Sequence, residues 1–155
     1  MKRDPGLKTI VQIAVVCRDI EATAKRWAAF LGVEMPKIST TGSGSQCGMV
    51  YLGKPSDARC KLAFFETGTC RLELIQPLGA ESSWQEALDK NGESVHHIAF
   101  EVKDLNGTLR ACEEQGMPLI HQGHWDGRDG TYAYVNSQKH LGVMIEFLNW
   151  EKKST

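Results

Sequence analysis

Four segments of the chain alternate between apolar and polar positions in the way that β-strands do. Because neighbouring side chains of a strand point to opposite faces, each segment has one apolar face that can pack beneath helices. β-branched and aromatic residues strengthen the strand prediction. The segments are 11–16 (VQIAVV), 71–75 (RLELI), 96–102 (HHIAFEV) and 143–148 (VMIEFL). Their other faces carry Gln12, Glu73, His97 and Glu146.

Two histidines stand side by side in the third segment. Alternation places His97 with Ala99 on the face that carries polar residues, and it places His96 with Ile98 and Phe100 on the apolar face. We therefore predict that His97 has the functional role and that His96 is a core residue. The alternative for His97 is a purely structural role.

The same order of features occurs twice along the chain. The tetrapeptides that begin at Gln12 (QIAV) and His97 (HIAF) are each followed, seven positions after their first residue, by an aspartate, Asp19 or Asp104. An aspartate at this place can cap a helix, because its carboxylate accepts from the free amides of the first turn. Apolar residues then recur with helical spacing, and strand-like runs complete each copy.

This repeat predicts two modules, each with a strand, a helix and three further strands. The first covers about 8–78 and the second about 94–150. A short helix at about 81–92 links them, and its start is indicated by Ser82 with Gln85 three positions later.

Length, charge and cysteine content narrow the class of protein. The chain has 155 residues, which predicts one domain over 1–155. The formal net charge of -1 argues against a general nucleic-acid binder, and no apolar run is long enough to span a bilayer. The five cysteines are scattered without a Cys-x-x-Cys motif, which favours a reducing cytoplasm over a disulfide framework.

The four polar strand residues are a suitable ligand set for a metal ion. A carboxylate on a strand within a folded domain is costly unless it is paired, hydrogen-bonded or bound to a cation. Three oxygen ligands and one imidazole nitrogen suit a divalent ion such as Zn, Co, Ni, Mn or Mg. The alternative is that the four are separate residues on a solvent-exposed rim.

Two loops need a separate interpretation. The Gly/Ser-rich segment 39–48 lacks the Gly-Lys-Ser/Thr of a phosphate loop, so it is a mobile connection or a lid over a pocket. In the turn-rich segment 121–130 we expect His121, His124 and Arg128 at the surface, with substrate contact as the alternative.

These segments resemble the vicinal oxygen chelate superfamily, the glyoxalase/bleomycin-resistance/dioxygenase group, over about residues 8–150. The matching segments are VQIAVVCRDIEAT, LGV, RLELIQPLG, HHIAFEVKDL and GVMIEFL. The resemblance implies an α+β fold in which two βαβββ modules form a cupped mixed sheet with helices on the outer face. It also implies one divalent metal ion, held by Gln12, Glu73, His97 and Glu146, and a homodimer.

The subfamily is left open by the residues. ELIQPLG followed by HHIAFEV resembles methylmalonyl-CoA epimerases, but Gln12 stands where those enzymes have a histidine and Leu62 where some have a catalytic glutamate. The ligand set instead resembles zinc-type glyoxalase I, although Val16 and Pro77 replace an arginine and an asparagine of that family. Extradiol dioxygenases, which use two histidines and one carboxylate, fit least well.

The resemblance and the chemistry of the ligand set together predict a metal-dependent epimerase or isomerase that moves a proton α to a carbonyl. Glu73 and Glu146 occupy equivalent places in the two modules and would serve opposite faces of the substrate. The alternatives are a glyoxalase-like lyase acting on a thiol hemiacetal and a protein that binds an antibiotic without turnover. We expect a small-molecule substrate, either an acyl-CoA, a hydroxycarbonyl compound or a related carbon acid. Lys61, Arg71 and Arg128 are the candidates for holding its distal part.

Overall fold

A computed structural model describes residues 7–151 of the chain. Within that range the protein has ten strands, all in one sheet, and four helices. The strands are β1 (Gln12–Val16), β2 (Ile38–Thr40), β3 (Val50–Tyr51), β4 (Lys54–Pro55), β5 (Cys60–Glu66), β6 (Arg71–Pro77), β7 (Ser94–Glu101), β8 (Leu119–His124), β9 (Gly130–Val135) and β10 (Met144–Trp150). The helices are α1 (Ile20–Leu31), α2 (Ser83–Asn91), α3 (Leu105–Glu114) and α4 (Gln138–Leu141).

The order of strands in the curled sheet shows the duplication directly. The sheet runs β2-β5-β6-β1-β7-β10-β9-β8-β3-β4. The first strands of the two modules, β1 and β7, pair antiparallel at its centre, and each has the last strand of its own module beside it in parallel, β6 or β10. The predicted α+β fold built from two βαβββ modules is therefore confirmed.

One strand pair departs from the simple repeat. The short hairpin of β3 and β4 belongs to the first module in sequence, yet β3 pairs with β8 of the second module, where Val50 faces Gln122. This pairing ties the first half of the chain to the far edge of the sheet. It also carries the preceding loop, residues 41–49, across to the second module.

Helices α1 and α3 pack on one face of the sheet. Their predicted caps are present: the carboxylate of Asp19 accepts a hydrogen bond from the Ala22 amide at 3.0 Å, and that of Asp104 accepts from the Gly107 amide at 2.9 Å. Each helix lies over its own cluster of apolar side chains, which includes Ile20 for α1 and Leu105 for α3. The faces opposite Gln12, Glu73 and Glu146 supply the strand side of these two cores, as the alternation predicted.

The other face of the sheet has a third apolar cluster, and the candidate site lies within it. Helix α2 contributes Trp84 and Leu88 to this cluster. Its N-cap is Ser82, whose hydroxyl accepts a hydrogen bond from the Gln85 amide at 3.1 Å. The linking helix therefore closes one end of the curved inner surface. In the part of the chain that the structure describes, none of the helices has the length and apolar character needed to cross a bilayer.

Candidate active site

The sheet brings all four predicted ligands to its inner face. In β1 and β6, Ala14 lies opposite Glu73, and in β7 and β10, Ala99 lies opposite Glu146. Gln12 and His97 are each two residues before those alanines, so the two modules present their polar residues in equivalent positions. All four side chains are buried, with relative exposures of 7% for Gln12 and Glu73, 4% for Glu146 and 0% for His97.

The imidazole of His97 stands between the two carboxylates. Its Nε2 atom is 2.9 Å from Oε2 of Glu146 and 3.4 Å from Oε2 of Glu73. The two glutamates reach this nitrogen from β6 and β10, on opposite sides of the central strand pair. Although 2.9 Å apart, Nε2 of His97 and Oε2 of Glu146 are not aligned for a hydrogen bond, and neither buried atom has another partner.

Burial and mutual charge shift the ionisation of this group. Burial raises the pKa of Glu73 to about 8, and the charge of Glu146 acts in the same direction. The charge of His97 and a hydrogen bond from Gln12 oppose this change. Burial lowers the pKa of His97, but the carboxylates of Glu146 and Glu73 together outweigh burial, and the net pKa is raised. Two carboxylates and an imidazole in one dry site therefore strongly favour a bound cation or shared protons.

A β-bulge changes the predicted position of His96. Along the β1–β7 pair, Ala14 faces His97 but the next residue, Val15, faces Val95, so β7 has one extra residue there. Because the extra residue breaks the alternation, His96 points to the same side as His97. The prediction that His96 packs with Ile98 on the apolar face was wrong.

The ring of His96 lies within the aromatic cluster of the inner face. Its centroid is 5.1 Å from the centroid of His97 and 5.1 Å from that of Tyr134. Burial lowers the pKa of His96 well below 6.5, and the rings of His97 and His121 lower it further, while the backbone of Ser83 opposes them. This histidine is therefore uncharged in the folded protein at neutral pH.

His121 is also a buried residue, contrary to the expectation that it lies at the surface. It belongs to strand β8, its exposure is 0%, and its Nδ1 atom lies 2.8 Å from the hydroxyl of Ser83. On the other side, its Nε2 atom lies 3.4 Å from the hydroxyl of Tyr132. Burial lowers the pKa of His121 to about 3, and the charge of His97 contributes. The turn signals at 125–130 extended the loop prediction into residues that form a strand.

The four predicted ligands adjoin a cavity of about 360 Å³. Gln12, Glu73 and Glu146 line its inner end, and most of the remaining wall is apolar or aromatic. The apolar side chains that line it are Met49, Leu62, Phe64, Ile75, Trp84, Trp125, Tyr132, Tyr134, Leu148 and Trp150. An apolar pocket that ends in a few converging polar groups is the usual form of a small-molecule site.

The Gly/Ser-rich loop forms part of the cavity wall and is tied to the β8–β9 connection. The carboxylate of Asp126 accepts from the Gly42 amide at 3.0 Å and from the Cys47 thiol at 3.3 Å. In the other direction, the guanidinium of Arg128 donates to the carbonyl of Gln46 at 2.8 Å. The loop thus has the position of a lid, one of the two interpretations that the sequence allowed.

The three basic residues predicted near the substrate occupy different places. Arg71 lines the cavity, and its guanidinium lies 4.3 Å from the centroid of the Phe64 ring. Lys61 forms an ion pair with Glu21 of α1 at 3.3 Å, on the helix-covered face and away from the cavity. Arg128 is engaged with the lid loop. Among the described residues, Arg71 is therefore the one lysine or arginine in the cavity wall.

Two tyrosines of β9 are site residues that the sequence reasoning missed. Tyr134 lies beside His97, with ring centroids 5.0 Å apart, and its hydroxyl accepts from the indole N–H of Trp84 at 3.1 Å. Tyr132 lines the same cavity. The alternation of GTYAYV at 130–135 places both rings on one face, and the strand register with β10 then places that face beside Glu146.

Comparison with known proteins agrees with this architecture. The sequence model of the Glyoxalase/Bleomycin resistance protein/Dioxygenase superfamily matches residues 11–135. The chain belongs to this superfamily. The match covers the first module and the second module as far as the end of β9. It includes Gln12, Glu73 and His97, while Glu146 lies beyond it.

Individual proteins resemble the chain to different degrees. YqjC of Bacillus subtilis, an uncharacterized protein, is 33% identical over 102 residues, 64% of this chain and 73% of that protein. The ethylmalonyl-CoA/methylmalonyl-CoA epimerase of Cereibacter sphaeroides is 26% identical over 115 residues, 72% of this chain and 73% of the enzyme.

A solved structure extends the comparison to the fold. The crystal structure of methylmalonyl-CoA epimerase from Mycobacterium tuberculosis matches with a TM-score of 0.67 and 18% identity, over 98% of this chain and 94% of that one. At this identity the similarity shows the shared fold alone.

The donor atoms of the site fit the divalent metal that membership of the superfamily implies. Metal–ligand distances of about 2.0–2.2 Å place neighbouring donors about 3 Å apart, and the His97 nitrogen is 2.9 and 3.4 Å from the two carboxylates. Two of these buried atoms lack hydrogen-bond partners. In residues 7–151 no group of three or more His, Cys, Asp or Glu side chains is arranged to hold a metal ion in this structure, so the fit rests on the types of donor and on these unpartnered atoms.

Proposed function

We propose that the protein is a metal-dependent epimerase or isomerase that moves a proton at a carbon next to a carbonyl group. Gln12, Glu73, His97 and Glu146 are the proposed metal ligands, and the two glutamates are also the proposed proton carriers. The observation that carries the proposal is the equivalence of Glu73 and Glu146 in the two modules, with both carboxylates within 3.4 Å of the same imidazole nitrogen.

Each component of the site has a defined task in this proposal. A divalent cation held by the four side chains would stabilise negative charge that develops on the carbonyl oxygen of the substrate. One carboxylate removes the proton from the α-carbon on its side, and the substrate becomes an enolate-like anion. The other carboxylic acid returns a proton on the opposite side, which inverts the configuration at that carbon.

The rest of the inner surface supports the same chemistry. Leu62, Ile75 and Leu148 form a dry wall beside the carboxylates, and exclusion of water strengthens every electrostatic interaction within the cavity. The hydroxyl of Tyr134 accepts from Trp84, so its own hydrogen is free to be donated within the site. The lid loop forms part of the cavity wall.

The cavity suits the acyl part of a substrate rather than a large charged handle. Its volume is about 360 Å³, and Arg71 shares its wall with the carboxylates of Asp126 and Asp129, besides those of Glu73 and Glu146. A thioester such as methylmalonyl-CoA would place its acyl group at the glutamates and leave most of the CoA moiety outside. The relative from Cereibacter sphaeroides bears the name of an ethylmalonyl-CoA/methylmalonyl-CoA epimerase, which supports short branched acyl-CoA esters as the first substrates to assay.

Proton NMR in deuterated water tests the proposal and separates it from its rivals. We expect loss of the α-proton signal of one carbon acid from a panel of acyl-CoA esters and hydroxyketones, with the rate reduced by chelation and restored by a divalent metal. The glyoxalase-like lyase would be favoured instead if the protein forms a thioester from methylglyoxal and glutathione but exchanges the α-proton of no panel member. Binding of a panel member without exchange in the metal-loaded protein would favour a non-catalytic binding protein.

A further inference from the structure

His96 and His97 form a buried hydrogen-bonded pair beside the proposed metal site. Their Nδ1 atoms are 2.8 Å apart, and the exposures of the two residues are 3% and 0%. This contact depends on the bulge in β7, because the side chains of adjacent residues in a regular strand point to opposite faces. The chain therefore uses an irregular strand to place one histidine against the other.

One hydrogen is shared between the two Nδ1 atoms when both rings are uncharged. If His97 carries it, Nε2 of His97 keeps its lone pair and can bind a metal ion. If His96 carries it, the hydrogen of His97 lies on Nε2 and blocks ligation. A histidine that binds a metal generally donates its other ring N–H to an acceptor, which fixes both the tautomer and the ring orientation.

We propose that His96 is a positioning residue that accepts a hydrogen bond from Nδ1–H of His97 and thereby presents Nε2 of His97 as a metal ligand. This inference rests on the proposed function, since it requires the metal site. His96 is not part of the cavity wall, and its own Nε2 atom is buried without a hydrogen-bond partner. Its contribution therefore passes through His97 and not through contact with substrate.

Packing holds the pair in this arrangement. The ring of Tyr134 contacts both imidazoles, with centroid distances of 5.1 Å to His96 and 5.0 Å to His97. Neither ring can turn freely within this cluster. A substitution at position 96 that preserves volume therefore leaves the packing close to intact and removes the hydrogen bond selectively.

Two substitutions of His96 separate the hydrogen bond from the packing. In H96L an apolar side chain fills the space and no acceptor remains. In H96N the side-chain oxygen lies near the former Nδ1 position and can still accept from His97. Thermal unfolding of each variant establishes that it is folded, and competition with a chromogenic chelator gives its affinity for Zn²⁺.

We expect H96L to bind Zn²⁺ about 10- to 100-fold more weakly than the wild-type protein, and H96N to recover most of that loss. ¹⁵N NMR of the imidazoles in the Zn²⁺-loaded wild-type protein should show a protonated Nδ1 on His97. Three results would each overturn the inference and leave the proposed function standing. They are wild-type Zn²⁺ affinity in folded H96L, an equal loss of Zn²⁺ affinity in H96N and H96L, and an unprotonated Nδ1 on His97. Failure of the wild-type protein to bind any divalent metal would overturn both.

Discussion

At the scale of single residues, the proposed metal site depends most on His97. Its Nε2 atom is within 3.4 Å of both carboxylates. It is the one nitrogen among the four proposed donor atoms, since Gln12 would ligate through its amide oxygen. We expect H97A to lose the proposed divalent metal, because the imidazole that suits ions such as Zn or Ni is removed and only three oxygen donors remain. Elemental analysis of protein reconstituted with metal after chelation measures the result.

The matched control for H97A is H140A. His140 lies in helix α4 and is exposed, so removal of its imidazole changes the histidine count without touching the site. We expect H140A to bind about one metal ion per chain, the stoichiometry that we also expect of the wild-type protein. Equal metal content in H97A and H140A would contradict the assignment of His97 as a ligand.

The sequence predicted the face of most site residues correctly, for a physical reason. Strand alternation is local, so Gln12, Glu73 and Glu146 could be assigned to the inner face from their neighbours alone. The face of His96 depends on how β7 pairs with β1, because the bulge is a property of the pair of strands. The residue pattern of β7 by itself does not reveal that pairing with β1 leaves one residue of β7 unpaired.

At the scale of secondary-structure elements, capping of helix α1 has a measurable energetic effect. The carboxylate of Asp19 accepts the Ala22 amide at 3.0 Å and is exposed to solvent. We expect D19A to lower the free energy of unfolding by about 1 kcal/mol, since the first-turn amide loses its acceptor. Urea denaturation measures this change.

The variant D19N distinguishes capping from other effects of the aspartate. Asparagine is as good an N-cap as aspartate, so we expect D19N to unfold close to the wild-type midpoint. A loss of stability in D19N equal to that in D19A would show that charge, and not the cap hydrogen bond, stabilises the helix start.

The elements that could not be predicted are those defined by distant pairing. Helices α1, α2 and α3 were indicated by capping residues and apolar spacing within a few residues of their starts. The β3–β4 hairpin pairs with β8, and the paired residues Val50 and Gln122 are far apart in the sequence. No local residue pattern specifies that partner. Strand β8 itself was partly assigned to a loop, because the Gly- and Asp-rich turn after it obscured its alternation.

At the scale of the whole molecule, the buried histidine His121 links stability to pH. Burial lowers its pKa in the folded state to about 3, against about 6.5 in an unfolded chain. Between these values the unfolded chain binds the additional proton. This contribution to stability is therefore complete above about pH 6.5 and is lost as the pH falls towards 3.

The variant H121N removes this titration and keeps a polar group near Ser83. We expect its free energy of unfolding to fall less steeply below pH 6.5 than that of the wild-type protein, by up to about 1.4 kcal/mol per pH unit. Urea denaturation of both proteins from pH 7 to pH 5 measures the two slopes. Parallel curves would mean that His121 does not titrate differently in the folded and unfolded states.

The duplication of the module is the feature from which the proposed chemistry arises. Two equivalent strands, β6 and β10, deliver one carboxylate each to a site formed around the central pair β1 and β7. The duplication could be detected from sequence offsets, and with it the equivalence of Glu73 and Glu146. The cavity could not be predicted, because its walls combine the lid loop, α2 and β9 from separate parts of the chain.

The central claim is tested most directly by the deuterium that E73Q and E146Q incorporate into single enantiomers of a substrate. The probes are (R)- and (S)-methylmalonyl-CoA, and the metal content of each variant is measured first. Glutamine keeps the shape and an oxygen ligand but cannot carry the proton, so we expect each variant to lose about 10²- to 10⁴-fold in epimerisation rate. E146Q should still exchange the α-proton of one enantiomer through Glu73, and E73Q that of the other enantiomer through Glu146. Near-wild-type epimerisation by both metal-loaded variants, or the same enantiomer preference in both, would contradict the account.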